Sequence, residues 1–458
     1  MNVSVFGAGY VGLVTGVVLA ELGHQVTLIE PVKEKLQVIN NGRSPIFEAG
    51  LEALLQRVMD QGRLHAKATA ERDLADADII FIAVGTPPLP DGEADLRYVR
   101  QAALSIGGGM TGKKRQVIVN KATVPIGSAN LVEVWIQDGF RDLHGRVPPT
   151  EWYAVASNPE FLRQGTAIYD TLYPDRIVLG ADEAWAIDRL KELYAPIIQQ
   201  SFAPPFKDEE VPLVTGVPVD VTDRISSEMI KYAANAFLAM KISFANEMAN
   251  ISERVGANVV DVMHGIGLDR RIGAKFLNAG VGWGGSCFGK DLSALTLTAQ
   301  EYGYHPRLLQ ATMAVNRDQR LLVVKKLQEE LKPVKGRRVA VWGIAFKPGT
   351  DDLRDAPAIS VIEELLRLGV RVTAYDPIAM DNLQRERPDL EIQYANSAEE
   401  ALIDADALIL ITEWDSFREI PLETIAARLS RGIVIDGRNL WDPDEADRVG
   451  INYRSIGR

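Results

Sequence analysis

Cysteine is almost absent: Cys287 is the single one in 458 residues. No disulfide can close within one chain, no multi-cysteine metal site exists, and a reducing compartment is expected. Histidine is scarce as well. The five (His24, His65, His144, His264, His305) never take the His-x-x-x-His spacing of a helical zinc site, so no metal is expected. Basic charge is not in excess: 50 Lys plus Arg stand against 62 Asp plus Glu, net −12. That balance excludes a general nucleic-acid binder, while leaving room for a local basic pocket for phosphate. No apolar run is long enough to span a bilayer. Residues 1–20 carry no charged side chain but also lack a basic leader, and glycines fall at 7, 9, 12 and 16. They read as a buried strand, a turn and a helix rather than a signal peptide or membrane span. A cytoplasmic protein without membrane or nucleic-acid partners is expected.

What is present is ordinary globular material, 47% hydrophobic and 24% charged, in a length that suits two to four domains. Val3–Phe6 is β-prone and runs into GAGYVG at 7–12. A helical stretch then reaches Gly23, and a second strand, QVTLIE, ends on Glu30. This is a βαβ unit with a glycine turn and a terminal acid, the pattern of a dinucleotide site. Strands are predicted at 78–84, 116–120 and 153–157, alternating with helices, which implies a parallel sheet covered on both faces.

The C-terminal part repeats the design. VAVWGIAF (339–346) aligns with VSVFGAGY (3–10), RLGVRVTAYDP (367–377) with ELGHQVTLIEP (21–31), and LIDADALILIT (402–412) with LADADIIFIAV (74–84). Gly343 falls on Gly7 and Asp376 on Glu30, but Ala345 replaces the second glycine and Lys347 follows it. The backbone there cannot approach a pyrophosphate as closely, so a different nucleotide is expected, held by charged side chains. The alternative is a structural domain that binds nothing. Between the repeats, residues 222–255 lack proline and glycine and predict one long helix, able to link the two units and supply a subunit interface. A second helical stretch is predicted around 308–331. The fold class is therefore α/β: two Rossmann-like parallel-sheet domains, 1–215 and 333–458, joined by a long central helix within a helical middle domain, 216–332.

The most unusual segment is GVGWGGSCFGKD, 280–291, where five glycines surround Cys287. A lone cysteine is more often a small buried hydrophobe than a nucleophile. Here Lys290 and Asp291 follow at once, and a nearby cation favours the reactive thiolate. On the long helix Lys231 and Asn235, at i and i+4, share a face and form a candidate pair of oxyanion donors; the alternative is a solvated face. KATVPIG (121–127) places Thr123, and SNPEFLRQG (157–165) places Glu160, just beyond strands, where open α/β sheets bind ligands.

Together these segments resemble the UDP-glucose/GDP-mannose dehydrogenase family of nucleotide-sugar 6-dehydrogenases over almost the whole chain. The likeness is carried by GAGYVG, VGTP (84–87), KATVPIG, NPEFL, PDRIVLG (174–180), the Lys231/Asn235 helix, RIGAKFLNAGVGWGGSCFGKD (271–291) and FKPGTDDLRD (346–355). The resemblance implies oxidation of a sugar C6 hydroxymethyl to a carboxylate with two NAD+ per sugar and no released aldehyde. It makes Cys287 the nucleophile, through a thiohemiacetal and a thioester. Lys231 and Asn235 stabilise oxyanions, Asp291 positions water, and Glu160 and Thr123 join the proton network; the base in each step stays open. NAD contacts carried over are Gly7, Gly9, Tyr10, Val11, Gly12, Glu30, Lys35, Thr86, Thr123, Gln164, Lys290 and Arg354. A carboxylate at Glu30 would favour NAD over NADP, an inference weakened by nearby Lys33 and Lys35. The sugar nucleotide, expected to be a UDP-sugar, falls to Glu160, Phe161, Leu162, Arg163, Lys231, Asn235, Phe276, Leu277, Asn278, Ala279, Gly280, Gly284, Phe346, Lys347 and Arg438. Arg271 resembles an arginine reaching into a neighbouring subunit's site, so a dimer or a multiple of dimers is implied.

Two positions depart from the family pattern: Gln164 stands where glutamate is usual, and Gly289 where proline is common. NPEFL and PDRIVLG resemble the UDP-glucose branch, whose product is UDP-glucuronate. The alternatives are a GDP-mannose 6-dehydrogenase, a one-step β-hydroxyacid dehydrogenase, which needs neither Cys287 nor residues 335–458, and a catalytically silent sugar-nucleotide sensor, which would be expected to lose Cys287, Lys231 or Asp291.

Overall fold

The computed structural model describes residues 1–69, 73–89, 92–206 and 216–458. Two compact units, Met1–Ala233 and Ala234–Arg458, each contain one sheet. In the first unit the strands are β1 (Asn2–Phe6), β2 (Gln25–Ile29), β3 (Leu64–Lys67), β4 (Ile79–Ile82), β5 (Gln116–Asn120), β6 (Tyr153–Ser157), β7 (Ile177–Ala181) and β8 (Val219–Thr222). Their order is β3-β2-β1-β4-β5-β6-β7-β8. Neighbours run parallel except β6 and β7, an antiparallel pair that the alternation of strands and helices did not reveal.

The inner strands β4, β5 and β6 are buried throughout because both faces are covered, whereas the outermost strand β8 is partly exposed. Alternation divides each strand between two cores: Ile79, Phe81, Val117 and Val119 enter one, while Ile80, Ile82 and Ile118 enter the other. The predicted strand at 78–84 shortens to Ile79–Ile82.

The second unit holds β9 (Arg338–Trp342), β10 (Arg371–Tyr375), β11 (Gln393–Tyr394), β12 (Ala407–Leu410), β13 (Ile433–Asp436) and β14 (Asn452–Arg454). Their order, β11-β10-β9-β12-β13-β14, repeats the first six positions of the other sheet. The repeat extends to single bonds. Gly7 N donates to Ile29 O and Gly343 N to Tyr375 O, each at 2.9 Å. Both glycines have positive φ, +92° and +85°, and a Cβ at either would strike the strand alongside. Only glycine serves at such a strand exit.

The long helix runs Arg224–Val255 and stops at Gly256, φ +77°. The stretch predicted around 308–331 is two helices, Arg307–Arg320 and Leu322–Glu330, broken at Leu321 without any glycine or proline to signal it. Residues expected as one helical region, 216–332, are divided between the two units, the division falling inside the long helix. The boundary expected after 215 adjoins 207–215, which lie outside the described residues. No described helix is long and apolar enough to cross a membrane.

Candidate active site

In the first sheet the chain order reverses between β1 and β4, and ligands of open α/β sheets bind beyond the carboxyl ends of strands at such a point. The glycine turn lies there. A Cβ on Gly12 would sit 1.9 Å from Gly7 O, so the chain's own packing demands glycine. At Gly9 nothing lies within 4 Å of a Cβ. The space that a side chain would fill is left for a cofactor's phosphates, which fits NAD. The helix Tyr10–Glu21 begins at Gly9 with no side-chain cap, leaving its first amides for an anion, with Val11 packed against the core. Glu30 is buried just past β2 and accepts from Ala8 N (3.0 Å) and Val32 N (2.9 Å), which holds the carboxylate where a ribose hydroxyl would meet it. Lys35 is exposed on the helix Lys33–Asn40. Thr86 Oγ1 donates to Thr123 O at 2.7 Å and so joins the two loops after β4 and β5.

Beyond β6 the NPEFL segment meets the long helix. Lys231 Nζ donates to Glu160 Oε1 at 2.9 Å and Leu162 N to Oε2 at 2.6 Å, with both charged side chains buried. Burial pushes the Glu160 carboxyl up, but Lys231, the Leu162 amide and the charge of Lys121 outweigh it and hold the group below the usual carboxylate range. The Arg176 guanidinium stacks 3.6 Å from the Phe161 ring, while Lys231 Nζ stands 5.4 Å from it. Arg163 is committed to Asp170 through Nε (3.0 Å) and Nη2 (2.6 Å).

Sequence reasoning missed two residues in this unit. Lys121 is buried with Nζ on Asn158 Oδ1 at 3.0 Å, an oxygen that also accepts from Tyr194 OH at 2.7 Å. Burial lowers its pKa to about 8, with Glu160 opposing and Lys231 adding to the effect. A lysine directly after an apolar strand was the available signal. Glu228, three residues before Lys231, accepts from Gly127 N (2.6 Å) and Ala129 N (2.8 Å) and caps the helix Ser128–His144. Burial pushes it up to about 7.

In the second unit Asn235, one turn further along the long helix than Lys231, donates through Nδ2 to Asp291 Oδ2 at 2.6 Å. Lys290 Nζ stands 2.9 Å from Asp291 Oδ1. Cys287 is exposed at the N-cap of the helix Phe288–Glu301, where the aligned peptide dipoles favour negative charge on sulfur. Lys290, the cation expected to assist the thiol, is thus committed to Asp291. Arg354 responds to the charge of Cys287: the hydrogen bonds it donates to Asp352 raise its pKa, burial opposes them, and the charges of Asp352 and Cys287 add to the rise.

The loop before Cys287 is held by amide side chains that the sequence did not single out. Asn246 Oδ1 accepts from Gly280 N (2.7 Å), and Gln319 Nε2 donates to Gly280 O (2.8 Å). Asn316 takes both backbone groups of Trp283, at 2.8 and 3.0 Å. A Cβ on Gly284 would lie 2.3 Å from Asp355 O, which is how closely the FKPGTDDLRD segment approaches. Phe346 packs on Gly285, and Lys347 Nζ is 5.7 Å from the Phe346 ring. Phe276 has φ +65°, Leu277 and Ala279 are buried, and Asn278 is exposed between them. Arg438 donates to Ile411 O (2.6 Å) and Gly282 O (3.3 Å). Arg271 pairs with Asp269 alongside it and leaves its side chain 89% exposed. At Gly289 a Cβ would meet only ordinary contacts, 3.4 Å or more, so an alanine would fit there.

The second sheet's turn is packed differently from the first. Ala345 is fully buried. Asp376, in the position of Glu30, is saturated by five donors: the amides of Ile344, Ala345, Ile378 and Ala379 and the Trp414 indole. No lone pair is left for a ribose.

Residues 1–198, 225–318 and 340–443 match, in turn, the NAD binding, central and UDP binding domains of the UDP-glucose/GDP-mannose dehydrogenase family. The chain is 42% identical over 458 residues to a UDP-glucose 6-dehydrogenase of Bacillus subtilis (strain 168), covering 100% of this chain and 98% of that one. It is likewise 42% identical to the UDP-glucose 6-dehydrogenase of Pseudomonas aeruginosa, with 100% and 98% covered. Among solved structures, a UDP-glucose dehydrogenase from Pyrobaculum islandicum is similar at 36% identity with TM-score 0.87, covering 99% of this chain and 97% of that one.

Gly9→Ala should leave thermal stability unchanged and weaken NAD binding about tenfold, whereas Gly12→Ala should cost about 1–3 kcal/mol of folding stability by overpacking. Calorimetric titration and urea unfolding separate the two; equal losses of stability would contradict the assignment of Gly9. Lys121 binds its proton less readily folded than unfolded, so it opposes folding below about pH 8, and the cost fades as pH rises toward 10.5. Lys121→Met should therefore gain stability over the parent at pH 7, with the difference closing by about pH 10. A pH-independent difference in urea unfolding would refute that sign.

Proposed function

The chain belongs to the UDP-glucose/GDP-mannose dehydrogenase family, and from that premise we infer how its residues carry out the NAD-dependent oxidation of UDP-glucose at C6 to UDP-glucuronate. The observation that carries the reading is the exposed Cys287 at a helix N-terminus whose first turn presents Asp291, itself bonded to Asn235. Gly9, the first amides of the helix Tyr10–Glu21 and Glu30 would hold NAD, which when bound would supply the hydride acceptor for both oxidations.

In the first oxidation the C6 hydroxyl loses its proton to the network of Glu160, Lys231 and Thr123, and the C6–H bond breaks with its electron pair. Cys287 Sγ attacks the aldehyde carbon, and the oxygen's developing charge is met by the Lys231 ammonium and the Asn235 amide. Loss of a second hydride from this thiohemiacetal, together with its hydroxyl proton to the same carboxylate network, leaves a thioester on Cys287. Water positioned by Asp291 then attacks the carbonyl, the C–S bond breaks, and the carboxylate departs with the thiol restored. No aldehyde is free at any stage, because the sulfur holds it between the two oxidations.

The three matched segments correspond, in this reading, to a cofactor domain, a helical domain and a UDP-sugar domain. Lys347, Arg438 and the 276–284 loop take the sugar nucleotide, while Thr86, Gln164, Lys290 and Arg354 assist the cofactor. We propose a dimer as well. Phe237, Phe244 and Ile251 repeat every seven residues on the long helix and are 58%, 44% and 48% exposed, an apolar stripe suited to a second copy. Arg271, exposed beyond its own chain's packing, is then the group that reaches a neighbouring site.

The enzyme should yield two NADH per sugar and use UDP-glucose at least ~100-fold better in kcat/KM than GDP-mannose, about 2.7 kcal/mol of discrimination. Cys287→Ala should lose sugar-acid formation by several powers of ten, and Cys287→Ser should accumulate an ester detectable by mass spectrometry. Normal two-NADH turnover by the alanine variant would remove covalent catalysis from the reading. Mixing inactive Arg271→Ala with inactive Cys287→Ala protein should restore partial activity through hybrid subunits. No recovery, with subunit exchange shown separately, would confine Arg271 to its own subunit.

A further inference from the structure

Glu48 lies in the loop before the helix Leu51–Asp60 and is 6% exposed. Its Oε2 accepts from Tyr10 OH at 2.6 Å and from Gly165 N at 2.7 Å, and its Oε1 accepts from Ala167 N at 2.7 Å. Among the described residues it has no cationic partner. A carboxylate buried without a counter-ion is costly, and short charge-assisted hydrogen bonds are what offset the cost.

The donors come from two places. Tyr10 is the first residue of the helix that opens from the glycine turn. Gly165 and Ala167 follow Gln164 in the segment running on from NPEFL. One carboxylate therefore fixes the distance between two stretches that carry cofactor contacts. Capping the short helix Ala167–Leu172 would need only the two amides. The phenol of Tyr10, whose single proton is shared between Glu48 Oε2 and Phe47 O, each at 2.6 Å, is not explained by that cap.

We propose that Glu48 is a positioning residue for NAD, holding the glycine turn and the 164–167 stretch in the spacing that the cofactor requires. This rests on the NAD reading of the turn. It has a particular use in a reaction that consumes two cofactors per sugar: the first must leave and the second enter while the sugar stays on the enzyme. A site kept in shape by the protein's own hydrogen bonds is ready for each arrival.

The test is a double-mutant cycle on NAD affinity, read by calorimetric titration on the intact chain with Glu48→Gln, Tyr10→Phe and the double variant. Glutamine keeps the shape but offers one acceptor and sets an NH2 group against the donors. NAD Kd should rise about tenfold in Glu48→Gln, and UDP-glucose Kd should stay within about twofold. Kinetically the loss should appear in KM for NAD rather than in kcat. The double variant should bind NAD no more weakly than Glu48→Gln alone, because the two changes remove one shared interaction. Additive losses, an unchanged NAD Kd, or equal weakening of both ligands would overturn the proposal. Should Glu48→Gln fail to fold, Glu48→Asp takes its place: a raised NAD Kd with UDP-glucose Kd unchanged would support the proposal, and an unchanged NAD Kd would overturn it. Failure of the parent protein to bind NAD would instead strike at the reading of the turn itself.

Discussion

A strand buried on both faces of a parallel sheet spends its amides on its neighbours and its side chains on two cores, so only its end is free for chemistry. That constraint governs both units here. Each sheet reverses its chain order once, between β1 and β4 and again between β9 and β12, and the loops leaving those strands carry the family's motifs. The same constraint explains how two copies of one topology come to differ. The acid after the second strand takes two internal donors at Glu30 and five at Asp376. One turn stays open to a dinucleotide; the other has become part of the core.

Burial then sets the electrostatics. Glu160 stays ionised in the interior because Lys231 touches it and Lys121 stands by, two cations around one carboxylate. Desolvation taxes each group separately, and their mutual attraction returns part of that cost. Glu228 works otherwise: with only backbone amides on its oxygens it is held near neutrality, where its charge responds to small changes around it.

Much of the fold was legible because glycine and acid positions obey local rules. Gly7, Gly343, Glu30 and Asp376 can be found by eye, and the βαβ period follows from them. The candidate site was legible where a motif is compact, as around Cys287. What stayed hidden depends on partners distant in sequence. Asn246, Asn316 and Gln319 look like surface amides on helices until the glycine loop is laid against them. Lys121 shows no sign that its ammonium meets Asn158, and Glu48 none that it meets Tyr10. The break at Leu321 leaves no trace in composition, and neither does the reversal of β7.

The solitary thiol makes the molecule its own reporter. With Cys287 exposed and no second cysteine anywhere in the chain, a thiol titration counts intact Cys287 and nothing else. Thiol oxidation has a single address too, and the product is a sulfenic acid with no cysteine in its own chain to rescue it as a disulfide. Loss of that thiol as a preparation ages would then be read in one number, the moles of titratable thiol per mole of protein.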